Sequence, residues 1–169
     1  QNVRLTDDAL FSGAEAFDED SGHVFPPYTV RDAGGKSIAI IGQAFPYTPI
    51  ANPSRFIPDW TFGIRAGELQ TLVDTVRENE RPDAVLLLSH NGMDVDLKLA
   101  RVVTGIDAIL GGHTHDGVPV PVIVDNASGR TVVTNAGSNG KFLGVLDLEF
   151  GNGGVSDFRY RLLPVFSNL

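Results

Sequence analysis

Three of the four histidines follow runs of apolar residues. Ala84-Val85-Leu86-Leu87-Leu88 leads into Ser89-His90-Asn91-Gly92, and Ala108-Ile109-Leu110 leads into Gly111-Gly112-His113-Thr114-His115-Asp116. Imidazoles at the carboxyl ends of buried strands stand where open α/β proteins hold ligands and metals, because the sheet fixes the position and the loop supplies the chemistry. In an extended segment, positions i and i+2 point to the same side. His113 and His115 are therefore expected to face one cavity, with His90 arriving from the neighbouring strand end. Three imidazoles suit a borderline divalent ion: Mn, Fe, Co, Ni or Zn. The chain has no cysteine, which excludes a Cys-rich structural zinc site, a disulfide framework and a cysteine nucleophile. Gly111 and Gly112 leave room for close backbone approach. Asp116 is expected to orient a ligand imidazole or to bind the ion itself. One histidine at a strand end is more often a hydrogen-bonded structural residue; the recurrence at equivalent positions is what points to a metal. His23, in a polar N-terminal stretch, reads as a solvated loop residue.

Other candidates are weaker. Asn91 is placed to hydrogen-bond near the same cavity. Arg65 offers a bidentate contact to an oxyanion; together with Asp59 and Trp60 it either walls a substrate or anchors the loop that carries it. Gly137-Ser138-Asn139-Gly140-Lys141 is either an anion-binding nest or, the favoured reading, a tight turn. Asp94 and Asp96 read as helix-start residues, with Asp94 as N-cap.

The elements that must position these residues follow from periodicity. Residues 1–26 look irregular, with acidic residues Glu15, Asp18, Glu19 and Asp20. Strands are expected at 28–31 and 37–42 around the turn Ala33-Gly34-Gly35-Lys36. A long Pro-rich loop fills 43–62, and loops of that length are uncommon unless they are functional or disordered. Leu69, Leu72, Val73 and Val76 fall on one face of a helix over about 66–80, which Arg81-Pro82-Asp83 stops. Strand 84–89, a helix at 94–103 and strand 107–111 complete a parallel β-α-β-α-β pattern. Residues 120–124, 131–135, 143–150 and 158–163 look like antiparallel strands, with turns at 126–129 and 151–154.

Composition narrows the classes. The 169 residues, 42% hydrophobic, suffice for one domain with a core. A net charge of −8 argues against nucleic acid as a partner and gives no support for an anionic membrane surface. No apolar run reaches the roughly 18 residues of a membrane span. No signal peptide is read at Gln1, and the start without Met suggests that an N-terminal portion has been removed.

Ser89-His90-Asn91-Gly92 followed by Gly111-Gly112-His113-Thr114-His115 resembles the last two metal-binding blocks of the calcineurin-like metallophosphoesterases, in their 5′-nucleotidase branch. The stretch Gly42-Gln43-Ala44-Phe45-Pro46-Tyr47-Thr48-Pro49-Ile50-Ala51-Asn52-Pro53, with Ile57-Pro58-Asp59-Trp60-Thr61-Phe62-Gly63-Ile64-Arg65, is similar more narrowly to the SoxB thiosulfohydrolases of sulfur-oxidising bacteria. So are Ser89 to Lys98 and Gly112 to Asp116. The resemblance runs from about residue 25 to the C-terminus. It implies an α/β chain, part of a four-layer α/β/β/α sandwich with mixed sheets. Residues 1–169 would be the C-terminal half of a catalytic domain, with 1–26 as an irregular lead-in. It further implies a periplasmic hydrolase with two divalent metals, usually manganese, that releases sulfate from a cysteine-bound thiosulfonate on the carrier SoxYZ. By the same carry-over His90 and His113 bind one metal and His115 the other; the histidine at 115 favours SoxB over a nucleotidase, where Gln is usual. The family's earlier Asp-x-His, bridging Asp and Asn-His-Glu/Asp blocks, with the catalytic His, have no match here. The chain is thus expected to hold an incomplete site with little activity alone. The alternatives are a 5′-nucleotidase-like phosphoesterase and a non-enzymatic fragment.

Overall fold

Branched residues dominate positions 38–41, 84–88 and 108–110, and each run becomes a strand. The computed structural model describes residues 1–9 and 15–166. Its strands are β1 (Arg4–Leu5), β2 (Tyr28–Asp32), β3 (Ser37–Gln43), β4 (Trp60–Thr61), β5 (Ala84–Ser89), β6 (Ala108–Gly111), β7 (Val122–Asn126), β8 (Gly129–Asn135), β9 (Phe142–Gly151) and β10 (Gly154–Pro164). Its helices are the short α1 (Thr48–Ala51), α2 (Ala66–Asn79) and α3 (Met93–Val102).

Six strands form one mixed sheet in the order β2-β3-β5-β6-β8-β7. The central pairs β3·β5, β5·β6 and β6·β8 are parallel, and the outer pairs are antiparallel. This mixed α/β architecture is the one the resemblance implied. Alternation decides the two faces. Ala39 and Ile41, Val85 and Leu87, Ile109 and Val133 point to one side and are fully buried against Leu69, Val73 and Val76 of α2 and Leu99 of α3. Each fully buried Val, Leu or Ile contributes roughly 1.5–3 kcal/mol. Their neighbours Ile40, Leu86 and Leu110 face the opposite way, toward the hairpin β9–β10. That hairpin closes its face loosely: cavities of about 330 and 470 Å³ lie beneath it, and Leu88 is 47% exposed. No helix among the described residues is long and apolar enough to cross a membrane.

Three expectations change. The N-terminal segment is not irregular throughout: β1 pairs with β4, and Gln1, Asn2 and Val3 are buried. The signal was Asn2, whose amide nitrogen donates to Ala44 O (2.8 Å) and Gly63 O (2.9 Å) while its oxygen accepts Ala44 N–H, clamping both ends of the Pro-rich loop. β8 is antiparallel to β7 as expected but parallel to β6, because β7 passes to the sheet edge and the chain folds back between them. Asp94 is not an N-cap: Gly92 holds that position at φ 101°, a conformation open to glycine, and Asp94 lies in the first turn.

Candidate metal centre

The parallel strands β3, β5 and β6 end side by side, with Gln43 in register with Ser89. Their carboxyl ends carry a buried polar chain. Ser89 Oγ donates to Asp96 Oδ1 (2.5 Å) and accepts the Asn91 backbone N–H (3.1 Å). Asn91 Nδ2 donates to Gln43 Oε1 (2.5 Å) and Asp96 Oδ1 (3.3 Å). Gln43 Nε2 reaches Ile64 O (3.0 Å) and Gln1 Oε1 (3.1 Å), and the Gln43 carbonyl accepts the His90 N–H. Burial pushes the Asp96 carboxyl above the usual carboxylate range; the hydrogen bonds from Ser89 and Asn91 oppose this, and nearby Asp94 adds to it.

On this base sit the imidazoles. The rings of His90 and His113 have centroids 5.2 Å apart at 68°. Phe45, at the start of the Pro-rich loop, stacks on His113 at 3.8 Å and meets His90 edge-on at 6.4 Å. A cavity of about 500 Å³ opens beside them, lined by Phe45, Tyr47, Asn91, Val95, Lys98 and His113. The glycines are spatially required. A Cβ on Gly112 would stand 3.2 Å from His90 Nδ1, and one on Gly111 would stand 2.6 Å from Asp96 Oδ2 and 3.0 Å from Thr134 O.

The expected pairing of His113 with His115 is not the one formed. His113 (φ 77°) and His115 (φ 59°) are both left-handed, so the segment is not extended and the alternation rule does not apply. His113 turns to His90 instead, while His115 is exposed. Asp116 accepts the Thr114 hydroxyl rather than holding an imidazole. Thr114 Oγ1 also accepts the Met93 N–H (3.1 Å), joining the β6 loop to the start of α3. Asn91 lines the cavity as expected, with its amide nitrogen engaged below. Arg65 does not join the histidines: it donates to Glu68 (3.1 Å) and Thr61 (2.8 Å) and lines a separate acidic cleft with Arg4, Asp7 and Asp20. Trp60 anchors the loop through β4 and an edge contact with Phe25, and Gly137 to Lys141 is a turn closed by Lys141 N–H to Ser138 O. His23 is not simply solvated; it is half-buried, with Nδ1 2.7 Å from Ser21 Oγ.

Two imidazoles converging at strand ends, one held from behind by an aromatic ring, fit a divalent ion. Among the described residues no third His, Cys, Asp or Glu joins them to complete a ligand cluster.

No family model matches the chain. It is 35% identical over 130 residues to the trifunctional nucleotide phosphoesterase YfkN of Bacillus subtilis, covering 76% of this chain and 9% of that protein. It is 32% identical over 146 residues to the 5′-nucleotidase of Rattus norvegicus, covering 78% of this chain and 25% of that one. The sulfate thiohydrolase SoxB of Thermus thermophilus superposes with a TM-score of 0.81 at 35% identity, over 96% of this chain and 27% of that structure. These relatives and neighbours place the chain in the 5′-nucleotidase and calcineurin-like phosphoesterase superfamily. The chain spans less than a third of each of these three proteins.

Within this superfamily fold, Asp96 and Thr114 hold the site in roles that the sequence alone does not announce. Asp96 lies in the first turn of α3, as a helix-start acid does, yet Asp96, Leu99, Ala100 and Val103 share one buried helix face, and a carboxylate in that stripe is the available signal. Thr114 gave no signal in its spacing; its role needs the fold to bring it to Met93.

Proposed function

We propose that this chain supplies part of a dinuclear metal hydrolase centre of the SoxB type. The observation that carries the reading is the convergence of His90 and His113, 5.2 Å apart at neighbouring strand ends, in a chain similar to SoxB over 96% of its length. His90 and His113 would hold one ion and His115, by family carry-over, the other. Divalent ions there, manganese by the same resemblance, would acidify a water and clamp a substrate oxyanion. The chain's own contribution is orientation. Ser89, Asn91 and Gln43 fix the backbone around His90, and Phe45 backs the His113 ring beside the cavity. In the reaction water attacks the sulfonate sulfur of a cysteine-bound thiosulfonate on a SoxYZ-type carrier. The bond between the sulfonate sulfur and its neighbouring sulfur breaks, the carrier cysteine keeps the remaining sulfur as a persulfide, sulfate leaves and the two protons of the water pass to solvent; the setting is periplasmic.

A phosphoesterase reading is favoured by the two nucleotide-hydrolysing relatives, at 35% and 32% identity. A phosphate monoester presents a similar tetrahedral oxyanion. Sulfate release from thiosulfonated carrier, measured beside phosphate release from AMP, separates the two. Sulfate without phosphate supports the SoxB reading, and nucleotide turnover without sulfate defeats it. Because three imidazoles alone cannot hold a metal pair, the 169-residue chain is expected to bind fewer than two metals tightly and to turn over slowly. Two tightly bound metals with full turnover would refute that.

A further inference from the structure

We propose that Asp96 is the positioning residue of the paired imidazoles: its buried carboxylate joins the ends of β5 and β6 and thereby sets His90 against His113. The proposal rests on reading those imidazoles as metal ligands. Asp96 is completely buried although it lies in the first turn of α3. Its Oδ1 accepts hydrogen bonds from Ser89 Oγ (2.5 Å) and Asn91 Nδ2 (3.3 Å), the two residues that flank His90. The same Ser89 hydroxyl accepts the Asn91 N–H, so one carboxylate oxygen governs the backbone on both sides of the imidazole. Its Oδ2 has no hydrogen-bond partner and lies against Gly111, where a Cβ would stand 2.6 Å away. From there the path to His113 is two residues long, and Gly112 already packs on the His90 ring.

A carboxylate left half unpartnered in a buried place is costly for stability alone. What it provides is contact with both histidine loops at once, from a rigid helix. Asp96 touches neither imidazole, so it acts through Ser89, Asn91 and Gly111. Removing the acceptor by Asp96→Ala frees the Ser89 hydroxyl and weakens the hold on His90. Asp96→Asn keeps an acceptor oxygen and the side-chain volume.

The test uses the full chain, first without metal. Ring-proton NMR is expected to show a cross-relaxation peak between His90 and His113 in the wild type. D96A should lose it and shift both rings, with His23 as an unmoved reference; D96N should restore the wild-type spectrum. Ser89→Ala should shift the same two rings by less, and it carries the test if D96A does not fold. Co²⁺, followed by its visible absorption, should bind D96A at least about tenfold more weakly than wild type, the range expected for a residue that orients ligands. D96A and S89A chains that unfold at lower urea but keep the wild-type ring resonances and Co²⁺ affinity would overturn the proposal and leave Asp96 a purely structural residue. A wild-type chain that binds no Co²⁺ would defeat the metal reading alone, and the metal-free ring spectra would still decide Asp96.

Discussion

At the end of β5 the chain is held by side chains: Ser89, Asn91 and Asp96 are each 7% exposed or less and bond to one another around His90. At the end of β6 it is held by backbone conformation and close packing. His113 and His115 are left-handed, Gly111 and Gly112 admit neighbours that a Cβ would meet, and Thr114 and His115 are exposed. Left-handed histidines cost of order 1–3 kcal/mol each and persist only where surroundings enforce them. Here the enforcement comes from the β5 side. The His90 ring packs on Gly112, Gly92 receives Thr114, and the Met93 amide donates to Thr114. The β5 loop is thus fixed by its own side-chain hydrogen bonds, and the β6 loop takes its shape from packing against it.

The strongest break in that contrast is Gly92→Ala. Its φ of 101° suits glycine, and a Cβ would stand 2.9 Å from Thr114 Cγ2. Urea unfolding should show a loss of about 3 kcal/mol, since strained backbone and overpacking act together. A loss under about 1 kcal/mol would mean the β6 loop gives way freely and is not shaped by β5. Next is Gly111→Ala, with a Cβ 3.0 Å from the Thr134 carbonyl and closer still to Asp96. A cost of about 2 kcal/mol is expected in the same measurement. Thr114→Val removes one acceptor and one donor between the loops. It should cost about 1 kcal/mol and speed hydrogen exchange at the Met93 amide while leaving Asn91 unchanged; faster exchange at Asn91 as well would show the two loops to be one unit.

The smallest effect lies outside the centre and serves as its control. Burial, followed by the nearby Arg4, holds the His23 ring below its usual 6.5. The folded state therefore binds that proton less readily than the unfolded chain. Stability from this group is fully present above pH 6.5 and is lost as pH falls toward the folded value. His23→Gln should flatten that part of the stability–pH curve without altering metal titrations at His90. An unchanged curve would show that another group titrates there.

Much of this was legible because periodicity is a direct consequence of packing. Leu69, Val73 and Val76 are spaced as one helix face and are buried as one, and the runs 84–88 and 108–110 had no polar face to offer water. The position of the histidines at strand ends followed from those strands. Which histidine meets which did not follow, because the left-handed turns at 113 and 115 depend on packing against Gly92 and His90, residues some twenty positions away. Asp96 was hidden for a related reason: an acid near a helix start already has a local explanation in the helix dipole. Only the fold shows that its carboxylate points inward to Ser89. Arg65 had the right chemistry for an oxyanion, yet Glu68 and Thr61, three and four residues away, engage it first.

In the proposed centre His90 and His113 share one ion, with His115 apart from them. Calorimetric titration of Mn²⁺ into the chain and into H90A, H113A and H115A distinguishes this arrangement from any other pairing. H90A and H113A should each abolish or weaken the same binding event by at least about tenfold, and H115A should retain it. Binding that survives in H90A or H113A, or that disappears in H115A, would rule out a shared ion at His90 and His113.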